Sequence, residues 1–516
     1  AYLSRVLLNK LENISKETQG NLKETYFKIF EVLADSDLKF VPADTRDPIN
    51  DVSLWNHMKL TAAFSTCIFL GGGYKGDKLG NYKFALLSGD ADRISSFINE
   101  SLRLPDLNAR SSLINEATFN AYKALKDILG PECVLFVSSG SFLALSPVDL
   151  AERALGGAKK NFEETTGGQV SITVSYVVAD GEDFQSDFGG IWEGAQRQIR
   201  LEKSSRLLVP SVTVDEGVET CDVCRKRQWT FEDPERVLSI DASPRSERLC
   251  SVCWSLRSKG KGVWLNDLRG KSNFVACIRG DGDNIGKVLA GKVFKTVGKA
   301  CTPSRVSTLS DIIHGSCETG FRNILEKMGG NCVFAGGDDL LAFVPAEFAL
   351  KVSKDFASSF GKALADKCTM SAGIAILNYR LPVYVGVESA GRLLSKAKDA
   401  GKNKVAYTVI GGSGVTSSEL EKVKARSWNE LDMILDIVDF MRRSGFASSQ
   451  LRRVAEVAAS SHVSDEGLVK AEALIKYLMG RDLIDWQLGE KMLSYLETGL
   501  LVEAFIIYNL FRSEEV

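Results

Sequence analysis

Two short stretches, Arg279-Gly280-Asp281-Gly282-Asp283-Asn284 and Gly336-Gly337-Asp338-Asp339, gather carboxylates between glycines. Glycine admits the positive φ of a tight turn, so Gly336-Gly337 can display Asp338 and Asp339 side by side at a hairpin tip. Mg²⁺ and Mn²⁺ take hard oxygen ligands, commonly one or two carboxylates together with substrate phosphates. A pair of such ions can activate an attacking hydroxyl and stabilise the leaving group of an in-line phosphoryl displacement. Either stretch alone reads as a solvated turn. Together they make Asp281, Asp338 and Asp339 candidate metal ligands and catalytic residues, with Gly282, Asp283, Asn284, Gly336 and Gly337 beside a bound nucleotide.

The surrounding elements must bring the two stretches to one point. Asn273–Ile278 is strand-like and runs into the first; Cys332–Phe334 and Leu340–Val344 flank the second as hairpin arms. A long helix, Thr308–Lys327, precedes the hairpin. After it come a helix from Glu347 to about Asp366, a strand Thr369–Leu377, a helix of roughly Val385–Asp399 and a strand Val405–Val409. The order is the split βαββαβ, ferredoxin-like arrangement.

A fainter copy lies upstream. Strand-like Tyr82–Leu87 leads into Ser88-Gly89-Asp90-Ala91-Asp92, and Asn108–Leu129 is helical. Cys133–Val137 and Phe142–Leu145 form a hairpin around Ser138-Ser139-Gly140-Ser141, and helix Val148–Glu164 and strand Val170–Val178 complete the order. The turn carries no Asp-Asp pair. This copy reads as a nucleotide-binding site without transfer chemistry, lined by Ser88, Asp90 and Ser139; the alternative is a purely structural domain.

Cys221-x-x-Cys224 and Cys250-x-x-Cys253 have the spacing of a structural Zn²⁺ site, in which two knuckles supply four thiolates. The polar segment Arg225–Leu249 could not build a core of its own, so a metal would supply the stability. The alternatives are disulfides or four free thiols. The other seven of the eleven cysteines read mostly as packed core thiols.

The GDGDN loop, the GGDDLLAF hairpin, the SAGIAI strand and the LLSKAKDAGKNKVAY segment resemble, in that order, the palm of GGDEF-type nucleotidyl cyclases. More closely still, they resemble the large polymerase/cyclase subunit of type III CRISPR effector complexes. The resemblance implies catalytic roles for Asp281, Asp338 and Asp339 and a phosphate-binding role for Lys398. It also implies RNA-activated synthesis of cyclic oligoadenylate second messengers from ATP, with pyrophosphate released, in an antiviral ribonucleoprotein. The implied partners are the other effector subunits, guide RNA and target RNA. A zinc insertion before the catalytic palm belongs to the same family. Asp51–Thr61 resembles the end of the HD domain that precedes the first palm there, but none of the three histidines, His57, His314 and His462, is followed by Asp. No HD-type nuclease site is therefore expected; His57 reads as packing or capping and His314 as packing. The chain begins with Ala, and residues upstream are expected to be missing.

The resulting expectation is an α+β protein with two ferredoxin-like palms. Residues 1–80 are a helical HD remnant, 81–210 a degenerate palm, 211–268 a zinc module, 269–415 the catalytic palm and 416–516 a helical bundle. The bundle, four helices opened by the capping box Ser427–Glu430, looks like an interaction module. In the CRISPR subunit such a tail faces a small helical subunit and the RNA duplex, and Arg442, Arg443, Arg452 and Arg453 are compatible with that. A net charge of −2 gives the whole chain no nucleic-acid-binding signature, so RNA contacts would be local or through partners. With 44% hydrophobic and 25% charged residues the composition is globular. Leu500–Phe511 is too short to span a membrane and carries Glu503, and no signal peptide is evident, so no membrane partner and a cytoplasmic location are expected. Two competing functions remain: a stand-alone GGDEF-like cyclic-dinucleotide synthase, and a catalytically silent scaffold.

Overall fold

Phe84-Ala85-Leu86-Leu87 and Val275-Ala276-Cys277-Ile278 are apolar at consecutive positions. Neither run has a face to offer solvent, so each must be an inner strand covered on both sides. The protein is seen here as a computed structural model that describes residues 2–18, 20–44, 51–101, 103–205, 219–240, 243–259, 262–270, 272–296, 298–411, 414–443, 448–459 and 466–512. Both runs are central strands in it.

The first sheet has β1 (Lys83–Ala91), β2 (Val134–Ser138), β3 (Ser141–Pro147) and β4 (Ile172–Asp180), in the order β2-β3-β1-β4. β1 pairs antiparallel with both β3 and β4. Helices Leu104–Leu129 and Ala151–Thr166 make the two crossovers. A further helix, Phe188–Ser205, packs back on β4 and β1.

Between the halves lies a small hairpin, β5 (Phe231–Ile240) and β6 (Ser243–Leu249), followed by helix Ser251–Lys259. The second sheet has β7 (Phe274–Asp283), β8 (Asn331–Gly336), β9 (Asp339–Pro345), β10 (Thr369–Asn378), β11 (Lys404–Ile410) and the two-residue β12 (Arg426–Ser427). Its order is β12-β11-β10-β7-β9-β8. The four strands β8-β9-β7-β10 repeat the order of β2-β3-β1-β4 in the first sheet, and β11 adds in parallel to β10. Helix Val383–Asp399 packs on β10 and β7, as Phe188–Ser205 does on β4 and β1.

Strand alternation sends the second sheet into two cores. Val275, Cys277, Leu341 and Phe343 face the helix Val383–Asp399 side, in a core continuous with the first domain. Ala276, Ile278, Leu340 and Ala342 face helices Phe321–Lys327 and Ala346–Ala363. That second core continues through Leu431, Ile434 and Val438 into the C-terminal helices, so the tail is packed onto the second half rather than tethered to it.

Two expected helices are broken. Thr308–Lys327 is instead Pro303–His314, a π turn over Gly315–Gly320 and Phe321–Lys327. Glycines at both ends of the wide turn lower the cost of leaving α geometry. The last tail helix divides into Trp486–Glu497 and Leu501–Arg512 at an angle of 112°. Gly499, at φ +70°, terminates the first of them. No single described helix is long and apolar enough to cross a membrane. His57 is exposed, and the cap of its helix, Leu54–Leu70, is Ser53. His462 lies outside the described residues. Arg442, Arg443 and Arg452 face solvent and pair with Asp439 or Glu456 on their own helices, and Arg453 is exposed too.

The cysteine-bearing module is fastened to the first domain by charge. Arg257 reaches Asp106 (2.7 Å) at the start of helix Leu104–Leu129, Asp233 (3.2 Å) on β5 and Glu247 on β6. Arg103 adds a 2.9 Å pair to Glu247. Asp106, Asp233 and Glu247 are each no more than 9% exposed in their side chains. Removing the shared cation leaves buried carboxylates uncompensated, a loss of about 3–5 kcal/mol. Arg257→Met should lower unfolding stability by that order in a denaturant titration, and Arg257→Lys by less.

Candidate active site

β7 continues through Arg279, Gly280 and Asp281 to Asp283, beyond the expected end at Ile278. This extension sets Asp281 opposite Asp339 of β9 on one side and Ser371 of β10 on the other. Asp338 occupies the hairpin turn, and its carbonyl accepts from the Gly282 amide at 3.1 Å. A Cβ on Gly282 would stand 2.8 Å from the Asp338 Cβ, so glycine there lets the two acidic stretches touch. Asp281, Asp338 and Asp339 thus meet at one sheet end. Lys398 pairs with Asp281 from the last turn of helix Val383–Asp399.

The cluster carries more anions than the cations around it can neutralise. Burial, then the Asp339 and Asp281 charges, push Asp338 up to about 7. Burial, then Asp281, push Asp339 up to about 6, with Arg279 and Lys398 opposing. The Asp339 side chain is open to solvent at its surface while protein surrounds it on most sides, which is the geometry of a cleft floor. Three crowded carboxylates with raised proton affinity suit a divalent cation, which would replace the protons.

The neighbouring residues divide by role. Asp283, expected beside a nucleotide, is 1% exposed. Its oxygens accept from Thr369 Oγ1 (2.8 Å), Ser371 Oγ (2.8 Å) and the Asn403 amide (2.9 Å), so it latches β7 to β10 and to the turn before β11. Asn284 has φ +64°, where the chain turns into the short helix Ile285–Leu289, and its Oδ1 accepts from Lys402 Nζ at 2.9 Å. Gly337 takes the positive φ of the turn, +62°. Gly336 serves close approach instead: a Cβ there would lie 2.2 Å from Ser139 Oγ of the first domain. The two hairpin tips touch.

Across that contact the first domain repeats the site. Asp90 faces Ser141 and Thr173 as Asp281 faces Asp339 and Ser371. Asp92 accepts from Ser171 and Thr173, each at 2.7 Å, as Asp283 does from Thr369 and Ser371. Arg93 has φ +55° where Asn284 has +64°. Lys203, near the end of helix Phe188–Ser205, pairs with Asp90 at 2.6 Å, as Lys398 does with Asp281. Ser88 is 2% exposed and its hydroxyl donates to the Ser175 carbonyl, so it shapes the wall rather than offering a free group.

Two clefts of ligand size meet at Asp339. One, about 650 Å³, is lined by Ser88, Asp90, Ser139, Gly336, Asp338 and Asp339. The other, about 640 Å³, is lined by Arg279, Asp281, Asp339, Arg392 and Ser395.

The four cysteines form a separate buried cluster. Their sulfurs lie within 4.8 Å of one another, an arrangement that could hold a metal ion. Cys224 and Cys250 are 3.9 Å apart, far beyond the ~2.05 Å of a disulfide. A tetrahedron with ~2.3 Å Zn–S bonds places its sulfurs roughly 3.8 Å apart. Arg110, 1% exposed, reaches Cys253 Sγ at 3.3 Å and supplies positive charge to the cluster.

Residues 274–406 match the model of the Cas10/Cmr2 second palm domain. The chain is Cas10-like. Over 158 residues, 26% of its length, it is 31% identical to the CRISPR system Cmr subunit Cmr2 of Pyrococcus furiosus, of which the match covers 18%. It is 22% identical to a CRISPR system single-strand-specific deoxyribonuclease Cas10/Csm1 (subtype III-A) of Enterococcus italicus, over 71% of this chain and 62% of that one. It therefore spans less than two thirds of either relative. Its fold is similar to that of a Csm1–Csm4 cassette crystallised with cA4, with a TM-score of 0.70, 18% identity and coverage of 98% of this chain and 80% of the other. A Csm1–Csm4 cassette crystallised with one ATP gives a TM-score of 0.68 at 16% identity, with the same coverages.

Several residues of the site escaped the sequence reading. Lys203 lies far along the chain from Asp90, and no spacing rule joins them. Thr369 and Ser371 look like ordinary strand residues until their hydroxyls are seen on Asp283. The raised carboxylates also have a measurable consequence. Ionising Asp338 and Asp339 opposes folding: the cost is absent below the ordinary carboxylate value of about 3.9, grows as pH rises, and is complete above about 7. A bound divalent cation removes it. Thermal melts should show Mg²⁺ or Mn²⁺ raising the midpoint by roughly 2 °C or more at pH 8 and little at pH 5. Asp338→Asn/Asp339→Asn should abolish the response and be the more stable form at pH 8 without added cation.

Proposed function

We propose that this chain joins ATP into cyclic oligoadenylates, as the nucleotidyl-transferring subunit of a type III CRISPR effector. The observation that carries the reading is the meeting of two ligand-sized clefts at Asp339, with the pairs Asp281–Lys398 and Asp90–Lys203 on either side. One nucleotide would lie in each cleft, the acceptor 3′-hydroxyl of one facing the α-phosphate of the other.

The hydroxyl gives up its proton to water as its oxygen attacks the α-phosphorus, a new phosphodiester bond forms, and pyrophosphate leaves; the terminal 3′-hydroxyl then attacks the α-phosphorus of the chain's own 5′-triphosphate, expelling a further pyrophosphate and closing the ring. Asp281, Asp338 and Asp339 would hold Mg²⁺ or Mn²⁺, which supplies activation of the hydroxyl and neutralisation of the leaving group. Lys398 sits within reach of the same oxygens and would carry polyphosphate charge once Asp281 is occupied by cation, with Lys402 beside it on Asn284. Gly337 leaves the turn free of a side chain, so phosphates could approach backbone there, while Gly282 and Gly336 let the two acidic stretches and the two hairpin tips close up. In the first cleft Lys203 is the counterpart of Lys398, while Gly140 and Ser141 stand where the second hairpin has Asp338 and Asp339. That half binds and orients without transferring. Asp283 and Asp92 hold the strand ends that carry these groups.

The two-palm architecture, a structural Zn²⁺ on Cys221, Cys224, Cys250 and Cys253, and a cytoplasmic location belong to the same proposal. So do effector subunits, guide RNA and target RNA as partners. Csm1–Csm4 cassettes crystallised with cA4 and with ATP support it through the shared fold. A stand-alone cyclic-dinucleotide synthase of GGDEF type would pair two acidic hairpins; here the opposed hairpin is Ser138–Ser141. A silent scaffold would have no use for three carboxylates held at a cost.

Two outcomes test the proposal. Asp338→Ala/Asp339→Ala should reduce product from ATP, Mg²⁺ or Mn²⁺ and cognate guide and target RNA by about a hundredfold or more, with assembly intact, as read by product chromatography. Wild-type yield from that variant would defeat the reading. Cys221→Ser should lose bound zinc and local order in metal analysis of natively purified protein, since three thiolates close a structural site poorly.

A further inference from the structure

An eight-residue stretch of the first domain, Ile94–Ser101, stands between the two clefts. Ile94, Ser95 and Ile98 face the first, and Asn99 and Ser101 face the second. The helix within it, Ile94–Ile98, has only five residues and no side-chain cap at its start. Ile94 Cδ1 presses so close to Gly140 at the serine hairpin tip that a Cβ there would be 2.3 Å away. Position in this stretch therefore sets the wall of both clefts.

Its far end is held by the cysteine cluster, through two routes. Arg110 Nη1 donates to the Phe97 carbonyl (2.9 Å) and to Glu100 Oε2 (2.8 Å), while Nη2 reaches Cys253 Sγ. The guanidinium also lies 4.7 Å from the centre of the Phe97 ring. Independently, Lys226 Nζ donates to Glu100 Oε1 at 2.7 Å, and Arg227 lies 3.9 Å from Oε2. Lys226 and Arg227 belong to the first knuckle, following Cys224 in the chain. The Glu100 side chain is 10% exposed. Arg110 bridges the cluster to Glu100, and Lys226 and Arg227 approach Glu100 from the knuckle itself, so the geometry of the knuckle is passed to the stretch. A divalent ion on the four cysteines would fix that geometry, and its loss would release it.

We propose that the four-cysteine centre clamps the wall between the two clefts, and that Arg110 and Glu100 are the positioning residues through which metal occupancy sets nucleotide affinity. The affinity half rests on the clefts being nucleotide sites; the clamp itself does not. The metal thus works on the cleft from outside it, touching no nucleotide.

The full chain can be compared as wild type, wild type stripped with a chelator, Glu100→Gln, Glu100→Asp and Lys226→Ala. Three readings are needed: zinc per chain by release with a thiol-modifying mercurial, amide hydrogen exchange of residues 94–101, and calorimetric affinity for a non-hydrolysable ATP analogue with Mg²⁺. Glu100→Gln should keep its zinc, exchange tenfold faster over 97–101 and bind the analogue five- to tenfold more weakly. Glu100→Asp should recover part of both effects, and chelation should reproduce the exchange change. If Glu100→Gln sheds zinc, Lys226→Ala carries the test, since that side chain is 59% exposed and pairs with Glu100, while the backbone amide that reaches the Cys224 sulfur is kept by alanine. Unchanged exchange at 94–101 in a zinc-retaining variant and in chelated wild type would overturn the clamp. If wild type binds no analogue, the nucleotide reading falls instead, and the exchange comparison still decides the clamp.

Discussion

Mutual repulsion of Asp281, Asp338 and Asp339 is the constraint around which the second half is built. Three carboxylates do not gather in a cleft unless the backbone forces them together, and β7 and the β8–β9 hairpin do so. The force comes from buried sheet on both faces, Val275 and Cys277 toward one core and Ala276 and Ile278 toward the other. Register cannot slip, because a one-residue shift would turn every one of these side chains to the wrong core. Asp283 adds a second lock, spending its own charge on three donors from β10 and the turn before β11. The acidic site is thus a strained charge distribution on a rigid sheet, and Lys398 and Arg279 only partly relieve it.

The same frame in the first domain, with Gly140 and Ser141 in place of the acids, shows which parts of it are architecture. Asp92 with Ser171 and Thr173 matches Asp283 with its hydroxyls, and Lys203 matches Lys398. The lock and the lysine remain where the acidic turn is gone. A cis pair of unequal halves keeps one acidic cluster between two clefts, and the Gly336–Ser139 contact fixes how far apart the halves stand.

The acidic stretches, the four cysteines and the element order were legible because each is a local pattern: glycines beside carboxylates, paired knuckles, apolar runs of strand length. Strand and helix positions around the second hairpin lie within a few residues of expectation. What stayed hidden depends on partners distant in the chain. Asp283 and Asp281 look alike in sequence, and only the hydroxyls of Thr369 and Ser371 separate a latch from a ligand. Gly336 reads as half of a turn pair, although the turn needs only Gly337 and Ser139 is what excludes a side chain. The break at Gly315–Gly320 sits within an otherwise helical pattern, and periodicity does not register one widened turn. The continuity of the tail with the palm core was hidden for a similar reason: a helix's apolar stripe says that it packs, not against what.

The sheet order also fixes a timetable for the nascent chain. In the first domain, β1 is the inner strand and its outer partner β4 ends at Asp180, so that sheet can close while the second is still being made. β7 is then synthesised as an apolar strand whose two neighbours, β9 and β10, come only later, β10 ending at Asn378. At ~5–20 residues per second, its β9 edge stays unpaired for roughly 3–12 s and its β10 edge for roughly 5–19 s. An uncovered Val-Ala-Cys-Ile strand is an invitation to pair with another chain. The finished first domain is the nearest apolar surface on the ribosome that could shelter it, and the core the two halves share would then begin to form before the second sheet is complete.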